Sequence, residues 1–231
     1  MDASRRKYLS ESARDLRRMF SEPRGFGRVS KAEMLIFHVL GRYVAIERGF
    51  CTQEDELGVR RVIDLFIPPC RIFVEIDGAH HFDGARGDPA DVVAGDTRKM
   101  YAAFKSHPGS VFVRIRDADV LGPLVDSVNP HLDVHKPFPV DWMTIIMSLC
   151  FKTPRTNTCV FLEAPGDASY DLHKAACGVP WQSIGDTGVL GVPPGLDHLM
   201  RGWRELLFVD SCERACADDE PDCGMFGEMT M

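Results

Sequence analysis

Residues 60–78 read Arg60-Arg61-Val62-Ile63-Asp64-Leu65-Phe66-Ile67-Pro68-Pro69-Cys70-Arg71-Ile72-Phe73-Val74-Glu75-Ile76-Asp77-Gly78. Two runs rich in β-branched and aromatic residues, Arg61–Ile67 and Ile72–Asp77, flank a Pro-Pro-Cys-Arg break, which is the pattern of a β-hairpin. Side chains alternate along a strand, so Glu75 and Asp77 share one face and Ile72, Val74 and Ile76 the other. Pairing Ile67 with Ile72 sets Asp64 opposite Glu75, with Cβ atoms about 5 Å apart, where like charges destabilise a sheet. Acids so placed call for proton sharing, basic partners or a cation, and oxygen donors suit Mg²⁺ or Mn²⁺. The competing reading of the same residues is a solvated strand face whose acids pair with Arg60, Arg61 or Arg71.

Outward from the hairpin, Asp91–Phe104 has the spacing of a helix and Val111–Arg116 alternates as a third strand. A strand–helix–strand unit implies a parallel return onto the same sheet. Upstream, Ser30 is positioned to cap a helix over Lys31–Tyr43 with Leu35, Ile36, Val39, Leu40 and Tyr43 as its apolar face. Residues 1–20 read as a further helix, with Arg14, Arg17 and Arg18 flanking Ala13, Leu16 and Phe20. Past residue 124 the periodicity weakens. A proline-bearing linker at 129–139 leads to a helix over Asp141–Phe151, a strand over Cys159–Glu163 and a helix over Leu196–Phe208. The expected class is α/β, with a central mixed sheet flanked by helices. The expected divisions are a basic arm at 1–30, a core at 31–124, a region of unknown role at 125–208 and an acidic tail at 209–231.

Charge is segregated along the 231 residues. The net −7 lies wholly in residues 205–231, which hold eight acids and one base. Residues 1–31 hold nine bases and four acids, suited to phosphate contacts. As a whole the chain is an ordinary globular mixture, 45% hydrophobic and 26% charged, which excludes a disordered or collagen-like chain. No apolar stretch approaches the ~20 residues of a membrane span. The polar N-terminus lacks a secretory core. Eight cysteines in a chain with a good apolar core imply no disulfide framework, so an intracellular location is expected, cytoplasmic or nuclear. Cys212, Cys216 and Cys223, with His173 and Cys177 upstream, lack the paired short spacings of structural zinc sites.

Several other residues have two readings. Glu33 is a candidate fourth carboxylate, but Ser30-x-x-Glu33 is also a capping box. His81 is a candidate proton carrier or a polar loop residue. Asp96, Arg98 and Lys99 offer phosphate contacts or a solvated helix face.

In order and spacing, residues 13–120 resemble the very-short-patch-repair-like branch of the PD-(D/E)XK, restriction-endonuclease-like nucleases. The residues carrying the resemblance are Ala13-Arg14-Asp15-Leu16-Arg17-Arg18, Ser30-Lys31-Ala32-Glu33, Phe50-Cys51-Thr52-Gln53, Ile63-Asp64-Leu65, Val74-Glu75-Ile76-Asp77-Gly78-x-x-His81, Asp96 with Arg98 or Lys99, and Val113-Arg114 followed by Asp119-Val120. The resemblance implies a three-layer nuclease core and a DNA-repair type of activity. It implies Asp64, Glu75 and Asp77 as metal ligands, and Glu33, His81 and Lys99 as further catalytic residues. Arg14, Arg17, Arg18 and Arg98 would contact DNA. The chain departs from the superfamily pattern at Asp77, which stands where a lysine is usual, and in extra residues over Asp83–Val93. The function expected is therefore Mg²⁺-dependent DNA endonuclease activity, with DNA as partner and no membrane. The alternative is a non-catalytic nucleic-acid-binding or assembly module. An RNA substrate ranks below DNA because no aromatic platform for single strands is evident.

Overall fold

The computed structural model describes residues 30–82, 87–120, 142–152 and 156–185. These residues build one six-stranded sheet. In chain order its strands are β1 (Glu47–Glu54), β2 (Arg60–Ile67), β3 (Ile72–Asp77), β4 (Val111–Arg116), β5 (Thr158–Leu162) and β6 (Trp181–Ile184), and the spatial order is the same. Strands β1 to β3 form an antiparallel meander, and β3 to β6 run parallel. The helices are α1 (Lys31–Leu40), α2 (Pro89–Ser106), α3 (Trp142–Cys150) and α4 (Asp171–Ala176). The chain is thus an α/β protein with a mixed sheet flanked by helices.

The hairpin forms in the expected register, Ile67 with Ile72, Phe66 with Phe73 and Leu65 with Val74. Its turn is a short 3₁₀ segment, Pro68–Cys70, closed by Arg71 in the left-handed region at φ 52°. The Arg71 carbonyl accepts from the Val111 amide at 3.0 Å, and its guanidinium donates to the Pro108 carbonyl. One turn residue therefore ties the hairpin to the start of β4.

Strand β3 is buried along its whole length, as expected for a strand covered on both faces. On one side Ile72, Val74 and Ile76 pack under α1 and α3, against Leu35, Ile36, Val39, Trp142, Ile145 and Ile146. On the other, Phe73 joins Ile63, Phe66, Phe112 and Phe161 with Met100, Ala103 and Phe104 of α2. The acids of β3 alternate onto this second, α2-facing side.

Local signals place several boundaries. Ser30 caps α1, its Oγ accepting from the Glu33 amide at 3.0 Å. The helix stops at Leu40, a turn short of the expected Tyr43. Helix α2 starts two residues before the expected Asp91. Asp88 is its N-cap and Pro89, whose missing amide costs nothing in the first turn, its first residue.

The sheet does not end at β4. Residues 158–184, which fall in the region of unknown role, add β5, α4 and β6 to the same sheet and core. Strands β1 and β6 and helix α4 escape a periodicity reading. β1 is an edge strand with little buried side chain and a left-handed Gly49, while β6 and α4 span only four and six residues. The expected helices over residues 1–20 and Leu196–Phe208 and the acidic tail lie outside the described residues. Among the described residues no helix is long and apolar enough to cross a membrane, and Cys51, Cys70, Cys150, Cys159 and Cys177 are free thiols.

Candidate functional site

The acids of β2 and β3 meet α2. The ladder between β2 and β3 opens beyond Leu65–Val74, and there the Asp64 carboxylate replaces a backbone partner, its Oδ2 accepting from the Ile76 amide at 2.8 Å. Lys99 descends from α2 and donates its Nζ to Glu75 Oε1. Glu75 is buried, and its Oε2 has no hydrogen-bond partner. Burial, joined by the Asp64 charge and opposed by Lys99, pushes the Glu75 carboxyl up to about 8. Burial also raises Asp64, against the pull of Lys99 and the Ile76 amide.

A second network lies beside the first. Arg114 of β4 grips Asp77 with Nε to Oδ2 at 2.8 Å and Nη2 to Oδ1 at 2.5 Å. The same Nη2 reaches Asp96 Oδ2 of α2 at 2.7 Å. Tyr170 donates its hydroxyl to Asp77 Oδ2 at 2.8 Å. Asp96 Oδ2 also lies 2.8 Å from His81 Nδ1 and 3.0 Å from His173 Nε2. Burial alone would raise Asp96, but the bonds from His173 and His81 and the Arg114 charge hold it well below the usual carboxylate range. An ionised carboxylate only accepts, so both histidines donate to it. His81 is thereby held with Nδ1–H toward Asp96, leaving Nε2 as its outward nitrogen.

Glu33 keeps its capping role. Its amide donates to Ser30 Oγ at 3.0 Å, and its carboxylate accepts from Arg48 Nε at 3.1 Å. Burial raises its pKa, Arg48 opposes that, and the Asp64 charge reaches it as well. So Glu33 takes part in the α1 cap and borders the carboxylate cluster at once.

Asp64, Glu75, Asp77, His81 and Lys99 converge, with Glu33 at the margin through its coupling to Asp64. Arg98 does not join them. It follows the α2 surface away from Lys99 and lines a separate cavity with Tyr101 and Lys105. Arg14, Arg17 and Arg18 lie outside the described residues. Arg114, Tyr170 and His173 were not among the expected site residues. Arg114 carries a signal in hindsight, because a charged residue between Val113 and Ile115 in a buried strand demands partners. Tyr170 and His173 carry none, being a hundred residues downstream of the hairpin. His173 Nε2 is engaged with Asp96, and Cys212, Cys216 and Cys223 lie outside the described residues.

Two places suit a divalent cation differently. The ligating atoms of Asp77, His81 and Asp96 lie within 4.8 Å of one another, but the Arg114 guanidinium already bridges the two aspartates there. At Asp64 and Glu75 one buried oxygen is unpartnered, two carboxyls are raised by burial and proximity, and the neutralising partner is a lysine on a flexible stem. Oxygen donors of this kind fit Mg²⁺ or Mn²⁺. No protein-family model, no curated protein and no solved structure matches this chain, so the chemistry of the site is argued from its own side chains.

Proposed function

We propose that this chain hydrolyses phosphodiester bonds in DNA with a divalent cation, Mg²⁺ or Mn²⁺, held by Asp64 and Glu75. The observation that carries the reading is the buried Glu75 carboxylate, unpartnered at Oε2, beside Asp64 and under Lys99. When bound, such a cation lowers the pKa of water and offsets charge on the phosphate. Glu75 gives up its proton on loading, since a ligand oxygen must be ionised. Lys99, displaced from Glu75, turns its ammonium to a phosphate oxygen as negative charge builds there. His81, oriented by Asp96, takes a proton from the attacking water at Nε2 and returns it to the leaving oxygen as the P–O bond breaks. Arg114 and Tyr170 hold Asp77 and thereby the end of β3 from which His81 departs. The basic segment at 1–31 adds phosphate contacts that carry no sequence information.

The test is cleavage of plasmid and oligonucleotide DNA with Mg²⁺, with Asp64→Asn and Glu75→Gln alongside. The reading predicts a loss of 100-fold or more in both, of the order seen when a charge-stabilising group is removed. Cleavage at the wild-type rate by both variants overturns it.

A second reading, the non-catalytic module, is favoured by one observation. Lys99 and Arg114 already neutralise Glu75 and Asp77 inside the protein. Calorimetric titration with Mg²⁺ and Mn²⁺ separates the two, since only the hydrolase needs the cation.

A further inference from the structure

Beside the carboxylate cluster, on a different face of α2, lies a cavity of about 400 Å³ lined by Asp55, Glu56, Arg98, Tyr101, Ala102 and Lys105. Pockets of this size take small ligands. Four of its residues, Arg98, Tyr101, Ala102 and Lys105, follow one another at helical spacing and form its α2 wall. The opposite wall is the turn between β1 and β2. That wall is rigid, because Asp55 accepts from the Leu57 and Val59 amides at 2.9 Å and from Arg61 at 2.7 Å. Asp55 is therefore spent on the turn and its charge is answered by Arg61.

The basic residues of the cavity are in the opposite condition. Arg98 Nε is buried with no hydrogen-bond partner, and among the described residues Arg98 makes no ion pair. A buried guanidinium donor left unmatched is costly and points to an acceptor the protein does not supply. Lys105 uses one proton on the Glu54 carbonyl at 2.9 Å and has two left. Between them stands Tyr101, 43% exposed although its hydroxyl is tethered to the Cys177 carbonyl at 3.2 Å. The tether is close-fitting, since a Cβ on left-handed Gly178 would lie 2.4 Å from that hydroxyl. An aromatic face locked in place and open to solvent, between two cations with donors to spare, matches a phosphate carrying a planar base.

We propose that this cavity is a nucleotide subsite, with Arg98 and Lys105 on the phosphate and the base stacked on Tyr101. Its ligand is a nucleotide flanking the bond to be cut. Arg98 and Lys99 are neighbours that diverge by about 100° around α2, so one strand passes from Lys99 to Arg98. The choice of a nucleic-acid strand rests on the function proposed above, whereas the phosphate-and-base chemistry does not.

The experiment titrates the full chain, in EDTA, with a deoxynucleoside 5′-monophosphate and separately with inorganic phosphate, followed by NMR or calorimetry. The nucleotide is expected to bind saturably and more tightly than phosphate. Arg98→Gln should weaken both at least tenfold. Tyr101→Ala should weaken the nucleotide alone, and Tyr101→Phe, which keeps the ring but loses the tether to the Cys177 carbonyl, should weaken it less than Tyr101→Ala, with melting curves showing that each variant folds. Absence of saturable binding by the wild-type chain overturns the proposal, as does Arg98→Gln binding both ligands unchanged. Nucleotide and phosphate binding equally, insensitive to Tyr101→Ala, overturns the base-stacking half. EDTA removes the cation, so a chain that binds here yet cuts nothing counts against the hydrolase alone.

Discussion

Arg114 and Asp77 stand on adjacent parallel strands two residues out of register, since Arg114 pairs with Glu75 and Asp77 with Arg116. Their side chains nevertheless meet through both carboxylate oxygens, at 2.8 and 2.5 Å, in a buried pair. The guanidinium also answers Asp96, so one cation satisfies two buried acids. Arg114→Met is expected to destabilise the protein by about 3–5 kcal/mol, because it leaves uncompensated buried charge. Urea unfolding of the two proteins measures this. A change below 1 kcal/mol would mean that solvent reaches the aspartates.

Glu75 makes stability fall as pH rises. Its carboxyl sits at about 8 in the folded protein against the ordinary 4.5 of a glutamate, so the folded state holds a proton that the unfolded chain releases. That contribution is whole below about 4.5, erodes between the two values and is gone above about 8, at up to roughly 1.4 kcal/mol for each pH unit crossed. Glu75→Gln, which mimics the protonated acid, should flatten this part of the profile and be the more stable protein at pH 8. Thermal melts of both from pH 5 to 9 test the sign. Asp96 acts oppositely, since its depressed pKa gives stability that is present above about 4 and lost as pH falls through its folded value.

Lys99 divides binding from chemistry. It competes with a cation for Glu75 and, in the proposed reaction, serves the phosphate. Lys99→Met should therefore leave Mg²⁺ affinity equal or tighter while cleavage drops roughly 100-fold. Calorimetry and a cleavage assay on one preparation read the two effects. Loss of cation binding in this variant would contradict the assignment.

The acidic tail is expected to compete with DNA. Residues 210–231 carry seven acids and one base, against the positive excess of residues 1–31. Removing 210–231 should tighten DNA binding at low salt, and the gain should shrink as salt screens the charges. Fluorescence anisotropy with a labelled duplex at 20 and 200 mM salt would show it, and equal affinities at the lower salt would dismiss the idea.

Alternation and turn chemistry are local, and they were enough to read β2, β3 and β4, the hairpin register and the parallel return. The same alternation set Glu75 and Asp77 on one face, and Pro68 and Pro69 marked the turn. The capping half of the Glu33 reading is local too, since Ser30 three residues away accepts from its amide. Strands β1 and β6 and helix α4 were out of reach because they are short or mostly exposed and are held by partners rather than by their own pattern. Residue order alone determined which acids stand together. Only the tertiary structure decided that Asp77 is gripped by Arg114 and Tyr170, that Asp96 gathers His81 and His173, and that Lys99 rather than Arg98 meets Glu75. The physical reason is burial: these charges find partners up to 93 residues apart, because a charge closed off from water must be answered by whatever the fold brings within reach.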